Sequence, residues 1–394
     1  MTITLSDRVQ RIQPSPTLAV TARAAALRAA GQDVIGLGAG EPDFDTPDHI
    51  KAAAVEALRQ GVTKYTAVDG LAKLKEAIRN KFKRDNGLDY AADQILVSAG
   101  AKQTLYNLAQ ALLNDGDEVV IPAPYWVSYP AIVSLTGAKP VIVNAGIENR
   151  FKITPEQLSD AITDRTRLII LNTPSNPTGI AYTRAELEAL GEVLEAHPDI
   201  IVATDDIYEH ILWGDEPFCN LLMACPSLYD RTVVVNGVSK AYSMTGWRIG
   251  YCGGPKPLVA AMKKIQSQST SNANSIAQSA AIAALEGDQS HIETMRHAFK
   301  DRHDYVVDAL NALPGVRCLT GDGAFYAFAD CREAIERLNG VDDDVAFSEH
   351  LIEQCGVALV PGSAFGASGY IRLSFAADMS QLKEAMKRLA GALG

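Results

Sequence analysis

Between residues 95 and 252 short apolar runs alternate with amphipathic stretches, and that rhythm leaves few folds open. Ile95–Ser98, Glu118–Ile121, Pro140–Val143, Arg167–Asn172, Ile200–Thr204, Thr232–Asn236 and Arg248–Cys252 are rich in β-branched and aliphatic residues and are predicted as strands. Lys102–Leu113, Pro155–Ala161 and Arg184–Ala196 carry the helical period between them. Strand–helix–strand repetition of this kind means α/β: a mostly parallel, seven-stranded sheet with helices on both faces. In such sheets ligands bind beyond the carboxyl ends of the strands, so the residues just past each strand carry the functional signal.

The chain changes character after about residue 285. A charged helical pattern runs from His291 to Leu313 and stops at Pro314. Shorter strand candidates follow near Ala324–Ala329, Val357–Val360 and Tyr370–Phe375, then a closing helix, Met379–Leu393. This predicts a smaller α+β domain. The stretch before Phe44, with one predicted helix at Thr17–Ala30, is expected to pack on it. The expected division is an N-terminal segment 1–45, a large domain 46–285 and a small domain 286–394. A net charge of −11 and a pI near 5.2 argue against a nucleic-acid partner, which needs a basic face. No apolar run approaches the roughly 18 residues of a membrane helix, and the first residues lack a signal-peptide core, so the cytoplasm is expected. The six cysteines show no CxxC spacing and the histidines no HxxxH pair, so no metal site is expected.

At the strand ends the residue types change. Lys240 lies just past Thr232–Asn236, and Arg248 follows eight residues later. A lysine at the mouth of a sheet loses its proton readily when desolvated and can form a Schiff base with an aldehyde. Ala99-Gly100-Ala101-Lys102 follows the first strand and opens a helix, a backbone arrangement that offers free N–H groups to an anion. Thr173–Gly179 holds two prolines and a glycine that fix a loop around Asn176. Asp205 and Tyr208 follow Ile200–Thr204, and a carboxylate at a buried strand end needs a cation. Taken singly, each has an ordinary alternative: a surface lysine, a capping asparagine, a rigid turn. Together they are the parts of a pyridoxal phosphate site. Lysine serves the carbonyl, Asp205 the ring nitrogen, Asn176 and Tyr208 the ring oxygen, and a helix N-terminus with an arginine the phosphate.

The chain also resembles the class I/II aminotransferases of fold type I, most strongly the bacterial subgroup Iβ of aspartate aminotransferases. The resemblance is carried by Gly38–Pro47, Tyr65 with Gly70, Pro124–Tyr129, Asn172–Gly179, Asp205–Tyr208, Ser239–Gly250 and Ile371–Phe375. It implies pyridoxal 5′-phosphate joined to Lys240, with Asp205 on the pyridine nitrogen, Asn176 and Tyr208 on its ring oxygen, and Trp126 stacked on the ring. It implies that Ala101, Lys102, Ser239 and Arg248 hold the phosphate, with Tyr65 reaching the phosphate of a neighbouring subunit in a homodimer. Arg372 would clamp the substrate α-carboxylate, assisted by Asn176 and the backbone of Gly40, and the polar run Gln268–Ser275 would face the neighbouring subunit. Trp126 could instead be a packing residue and Tyr65 an ordinary surface tyrosine.

The implied activity is transfer of an amino group from an L-amino acid, aspartate first, to a 2-oxo acid, 2-oxoglutarate first. Rival readings on the same fold are transfer from aromatic or apolar donors, use of prephenate, and β-lyase chemistry. A non-catalytic regulator would carry an added DNA-binding domain, and only about 40 residues precede the large domain. Two positions depart from the pattern. Gly237 stands where some relatives place a phosphate-binding hydroxyl, and Gln13 stands where prephenate-using relatives carry lysine. The second predicts weak prephenate activity. Gly36–Gly40 resembles a dinucleotide loop only superficially, because the third glycine is out of register.

Overall fold

The computed structural model describes residues 3–214 and 216–394. Its centre is a seven-stranded sheet, in spatial order Ile95–Ser98, Gly250–Gly253, Thr232–Gly237, Ile201–Asp205, Thr166–Asn172, Glu118–Ala123 and Lys139–Asn144. Only Gly250–Gly253 runs antiparallel to its neighbours. The strands read as unbroken apolar runs because both faces are covered. Val120, Ile169, Val202 and Val234 pack into one core. Val119, Leu168, Ala203 and Val233, each adjacent in its strand to one of these, pack into a second core on the opposite face.

Capping chemistry sets two of the covering helices. Thr154 caps Pro155–Ala161 and Thr183 caps Arg184–Glu195, each with its reciprocal glutamine or glutamate three residues on. The polar run at 268–275 is a turn as far as Asn274, whose side chain then caps the helix Ser275–Glu286.

A four-stranded antiparallel sheet, in order Val360–Pro361, Tyr370–Ser374, Tyr326–Asp330 and Arg317–Cys318, packs with the helices Ser290–Asn311, Asp344–Cys355 and Met379–Leu393 around a separate core. The N-terminal segment reaches it directly. Ile35–Gly36 pairs in parallel with Val357–Ala358, and Ala24 and Val34 pack on Ile352 and Ala358. The run Val357–Val360, predicted as one strand, thus serves two sheets: its first two residues pair with Ile35–Gly36 and Val360 pairs with Arg372. Two predicted strand starts are corrected. Arg248 and Ala324 have left-handed backbones, φ 57° and 58°, so the strands begin at Gly250 and Tyr326. The two layers meet at Gly179, whose carbonyl accepts from the Asp322 and Gly323 N–H groups, both at 2.8 Å. Among the described residues no helix is long and apolar enough to cross a membrane.

Candidate active site

Asp205 is the last residue of its strand and lies in register with Asn172 on the next. The Asn172 side chain donates to the Asp205 carbonyl at 2.7 Å and accepts from the Asn176 N–H at 2.8 Å, which ties the proline loop to the strand end. Asp205 is buried. Its Oδ2 accepts from the Tyr129 hydroxyl at 2.6 Å, while its Oδ1 has no side-chain partner among the described residues. Burial pushes its pKa up to about 6, against the opposing pull of the Tyr129 bond. A buried carboxylate oxygen without a donor is a place for a cationic N–H from a ligand.

Lys240 stands three residues beyond Gly237. Its ammonium donates to the Gly40 carbonyl and lies 5.8 Å from the centre of the Tyr208 ring and 5.6 Å from that of Phe325. Burial lowers its pKa to about 8, with the positive charges of Arg372 and Arg248 acting in the same direction and Glu41 against them. An amine so tuned is neutral in appreciable amount near neutral pH, as a nucleophile requires.

Across the cleft, Gly100 caps the helix Ala101–Leu112 with φ +90°, open to glycine. Among the described residues the Ala101 and Lys102 N–H groups at the start of that helix have no backbone acceptor, whereas the Gln103 N–H donates to the Gly100 carbonyl. Arg248 reaches the same spot, held by the Thr245 carbonyl at 2.8 Å and the Ala99 carbonyl at 3.3 Å. A Cβ on Gly100 would collide with the Arg248 guanidinium, and one on Gly250 with the Ala101 nitrogen. Two glycines therefore let a cation and a helix N-terminus converge on one anion-sized cradle. The Lys102 ammonium lies 4.9 Å from the centre of the Trp126 ring and, among the described residues, has no carboxylate within salt-bridge distance; burial lowers its pKa, and Arg248 adds to this.

From the small sheet comes Arg372, buried and fixed by two bonds, to the Asn176 side-chain oxygen at 2.9 Å and the Gly38 carbonyl at 2.6 Å. Its guanidinium faces the rings of Tyr326 at 4.5 Å and Phe365 at 4.8 Å, and its Nε–H has no partner among the described residues. Tyr326 in turn shares a 2.8 Å hydrogen bond with Tyr208.

Lys240, Asp205, Tyr208, Asn176, Ala101, Lys102, Trp126, Ser239, Arg248, Gly40 and Arg372 all line this one cleft. Tyr65 does not; it is 91% exposed on the outside of its own chain. Gln13 is exposed and is not among the cleft residues, whereas Thr17, Leu18 and Thr21 are. Sequence reasoning gave no role to Tyr129 or Tyr326. The signal for Tyr326 was available once Arg372 was assigned to a strand, since Arg372 pairs with Phe328 and Tyr326 shares that face two residues away. Among the described residues one group, Asp85, Glu209 and His210, has metal-binding spacing, but the Lys81 ammonium already pairs with Glu209 there.

Residues 32–389 match the family model for aminotransferase class I and II. The chain is 59% identical to an aspartate/prephenate aminotransferase of Nitrosomonas europaea, over 99% of each chain. It superposes on the crystal structure of the aspartate aminotransferase of Rhizobium meliloti with a TM-score of 0.96, at 47% identity over 100% of this chain and 99% of that one. It superposes on the Thermus thermophilus aspartate aminotransferase with maleate with a TM-score of 0.93, at 43% identity over the whole of both chains. The chain belongs to the class I and II aminotransferases.

Proposed function

We propose that this enzyme uses pyridoxal 5′-phosphate to transfer the amino group of L-aspartate to 2-oxoglutarate. The observation that carries the reading is the buried, unpartnered Asp205 Oδ1, which shares a cleft with a lysine of lowered pKa and a glycine-lined anion cradle. These residues fit the cofactor: Lys240 for its aldehyde, Asp205 for its ring nitrogen, Asn176 and Tyr208 for its ring oxygen, and Ala101, Ser239 and Arg248 for its phosphate. When bound, the cofactor withdraws electrons from the substrate's α-carbon, which acidifies the α-proton. Arg372 and Asn176 orient the substrate through its α-carboxylate, and Trp126 covers one side of the cleft. Lys240 would be the base that takes the α-proton and returns it. Asp205, fixed by Tyr129, holds a positive charge at the far end of the site.

Lys102 is the cation available for a second carboxylate, because its amine stands over Trp126 without an acidic partner among the described residues. This favours dicarboxylic substrates over apolar ones, and the maleate bound by the Thermus thermophilus relative agrees with it. A second oxo acid, prephenate, is favoured by the likeness to the aspartate/prephenate aminotransferase of Nitrosomonas europaea. Gln13 lies outside the cleft, which removes the reason for expecting weak prephenate use. The exposed Tyr65 fits a homodimer in which each copy completes its partner's phosphate site. We also divide the chain at 45 and 285, as its separate cores suggest.

Purified enzyme is expected to be yellow and to give oxaloacetate from aspartate only with an oxo-acid acceptor. Lys240→Ala is expected to bind the cofactor and turn over neither substrate. Full turnover by that variant, or pyruvate and ammonia without an acceptor from the native enzyme, would overturn the assignment.

A further inference from the structure

Tyr326 is a buried polar side chain that touches both halves of the site. Its hydroxyl lies 2.8 Å from that of Tyr208, and its ring lies under the Arg372 guanidinium. It belongs to the small sheet, on Tyr326–Asp330, whereas Tyr208 follows the large-sheet strand Ile201–Asp205. Each hydroxyl has one proton to give. If Tyr208 donates to the cofactor's ring oxygen, as the proposed function holds, its proton is committed and Tyr326 must donate to Tyr208. No other buried acceptor is bonded to the Tyr326 hydroxyl among the described residues. Gly40 closes the remaining side, since a Cβ there would sit 2.9 Å from that hydroxyl.

We propose that Tyr326 is a positioning residue that fixes the direction of the Tyr208 proton, so that the small sheet carrying Arg372 tunes the acidity of the cofactor bound to the large one. A hydrogen bond received by Tyr208 strengthens the one it gives, because chained donors polarise each other. Stronger donation to the ring oxygen stabilises negative charge there and weakens its hold on the proton shared with the Lys240 nitrogen. The charged and titratable groups around this chain are Arg372 on the small sheet, Lys240 and Asp205 at the strand ends, Arg248 at the cradle and Glu41 on the N-terminal loop. All of them remain in place in a Tyr326→Phe variant.

The inference rests on the cofactor reading, and the test separates the two. The absorption spectrum of the holoenzyme is followed from pH 5 to 10, and the midpoint of its visible band is read for native enzyme, Tyr326→Phe, Tyr208→Phe and the double variant. Tyr326→Phe is expected to raise the midpoint by about half a pH unit. In the Tyr208→Phe background the same change is expected to do nothing, a result that a merely structural role would not give. An unmoved midpoint in Tyr326→Phe, or an equal shift with Tyr208 absent, overturns the proposal. No visible band in the native protein at saturating cofactor overturns the cofactor reading itself. Should Tyr326→Phe not fold, 3-fluorotyrosine at position 326 supplies a stronger donor of nearly the same shape. It must lower the midpoint, and an unchanged midpoint counts against the proposal.

Discussion

Replacing Arg372 by lysine keeps the charge and removes the fork. In the native chain two of the five guanidinium N–H groups are spent on Asn176 and Gly38, which fix the plane of the guanidinium and leave the others for a ligand. A carboxylate that docks there gains parallel charge-assisted bonds in a site closed off by Tyr326 and Phe365. Lysine can restore one of them. The loss of one hydrogen bond to a charged group is worth about 1.5–3 kcal/mol, which is roughly 10- to 150-fold in kcat/KM. Alanine, which removes both bonds and the charge, is expected to lose about 2–5 kcal/mol, some 30- to several-thousand-fold. Every amino donor carries the α-carboxylate, so the loss must be shared: the ratio of kcat/KM for aspartate to that for alanine should stay within about threefold of native while both fall. Coupled assays with the two donors at saturating 2-oxoglutarate measure this, with the visible band confirming cofactor occupancy. A loss confined to aspartate, or a loss that tracks missing cofactor, would refute the argument and move Arg372 to another role.

Two further outcomes follow from the same geometry. Lys240 must be neutral to capture an aldehyde, and burial lowers its pKa to about 8; capture of cofactor by apoenzyme should therefore speed up about tenfold per pH unit below 8 and level off above it, where an ordinary lysine would keep accelerating to about pH 10.4. Stopped-flow absorbance reads this, and a rate still climbing at pH 9.5 would contradict it. Lys102→Ala should cut kcat/KM for aspartate and 2-oxoglutarate by about 10- to 150-fold and spare alanine, by the value of one hydrogen bond to a charged group; an equal loss for both donors with weaker cofactor binding would assign Lys102 to the phosphate instead.

The strand-end residues were legible because a parallel sheet confines ligands to one edge, so Lys240, Asp205 and Asn176 could be picked out by their place after an apolar run. Arg372 was not legible that way. It belongs to an antiparallel strand of the other sheet, and only the family resemblance singled it out. Tyr129 and Tyr326 read as core aromatics because their rings are buried like any others; what distinguishes them is where one hydroxyl points, and that depends on contacts 76 and 118 residues away in the chain. Strand starts at Arg248 and Ala324 failed for a local reason, a left-handed residue that apolar patterning does not encode. Gln13 shows the opposite weakness: a residue matched to a family position says nothing of which side of its own chain it will face.

The spread of the site along the chain has a consequence for biosynthesis. Every group suggested for the cofactor from within one chain lies between Ala101 and Arg248, while the carboxylate clamp waits for Arg372, about 120 residues later. At ribosomal rates of about 5–20 residues per second that gap lasts roughly 6–25 seconds. A nascent chain released from the exit tunnel as far as the end of the seven-stranded sheet already carries the amine, the aspartate and the anion cradle, but not yet the arginine that clamps the substrate's α-carboxylate. The cofactor can thus load onto the growing polypeptide before the enzyme is able to use it, and help stabilise the large sheet while the last hundred residues are still being made.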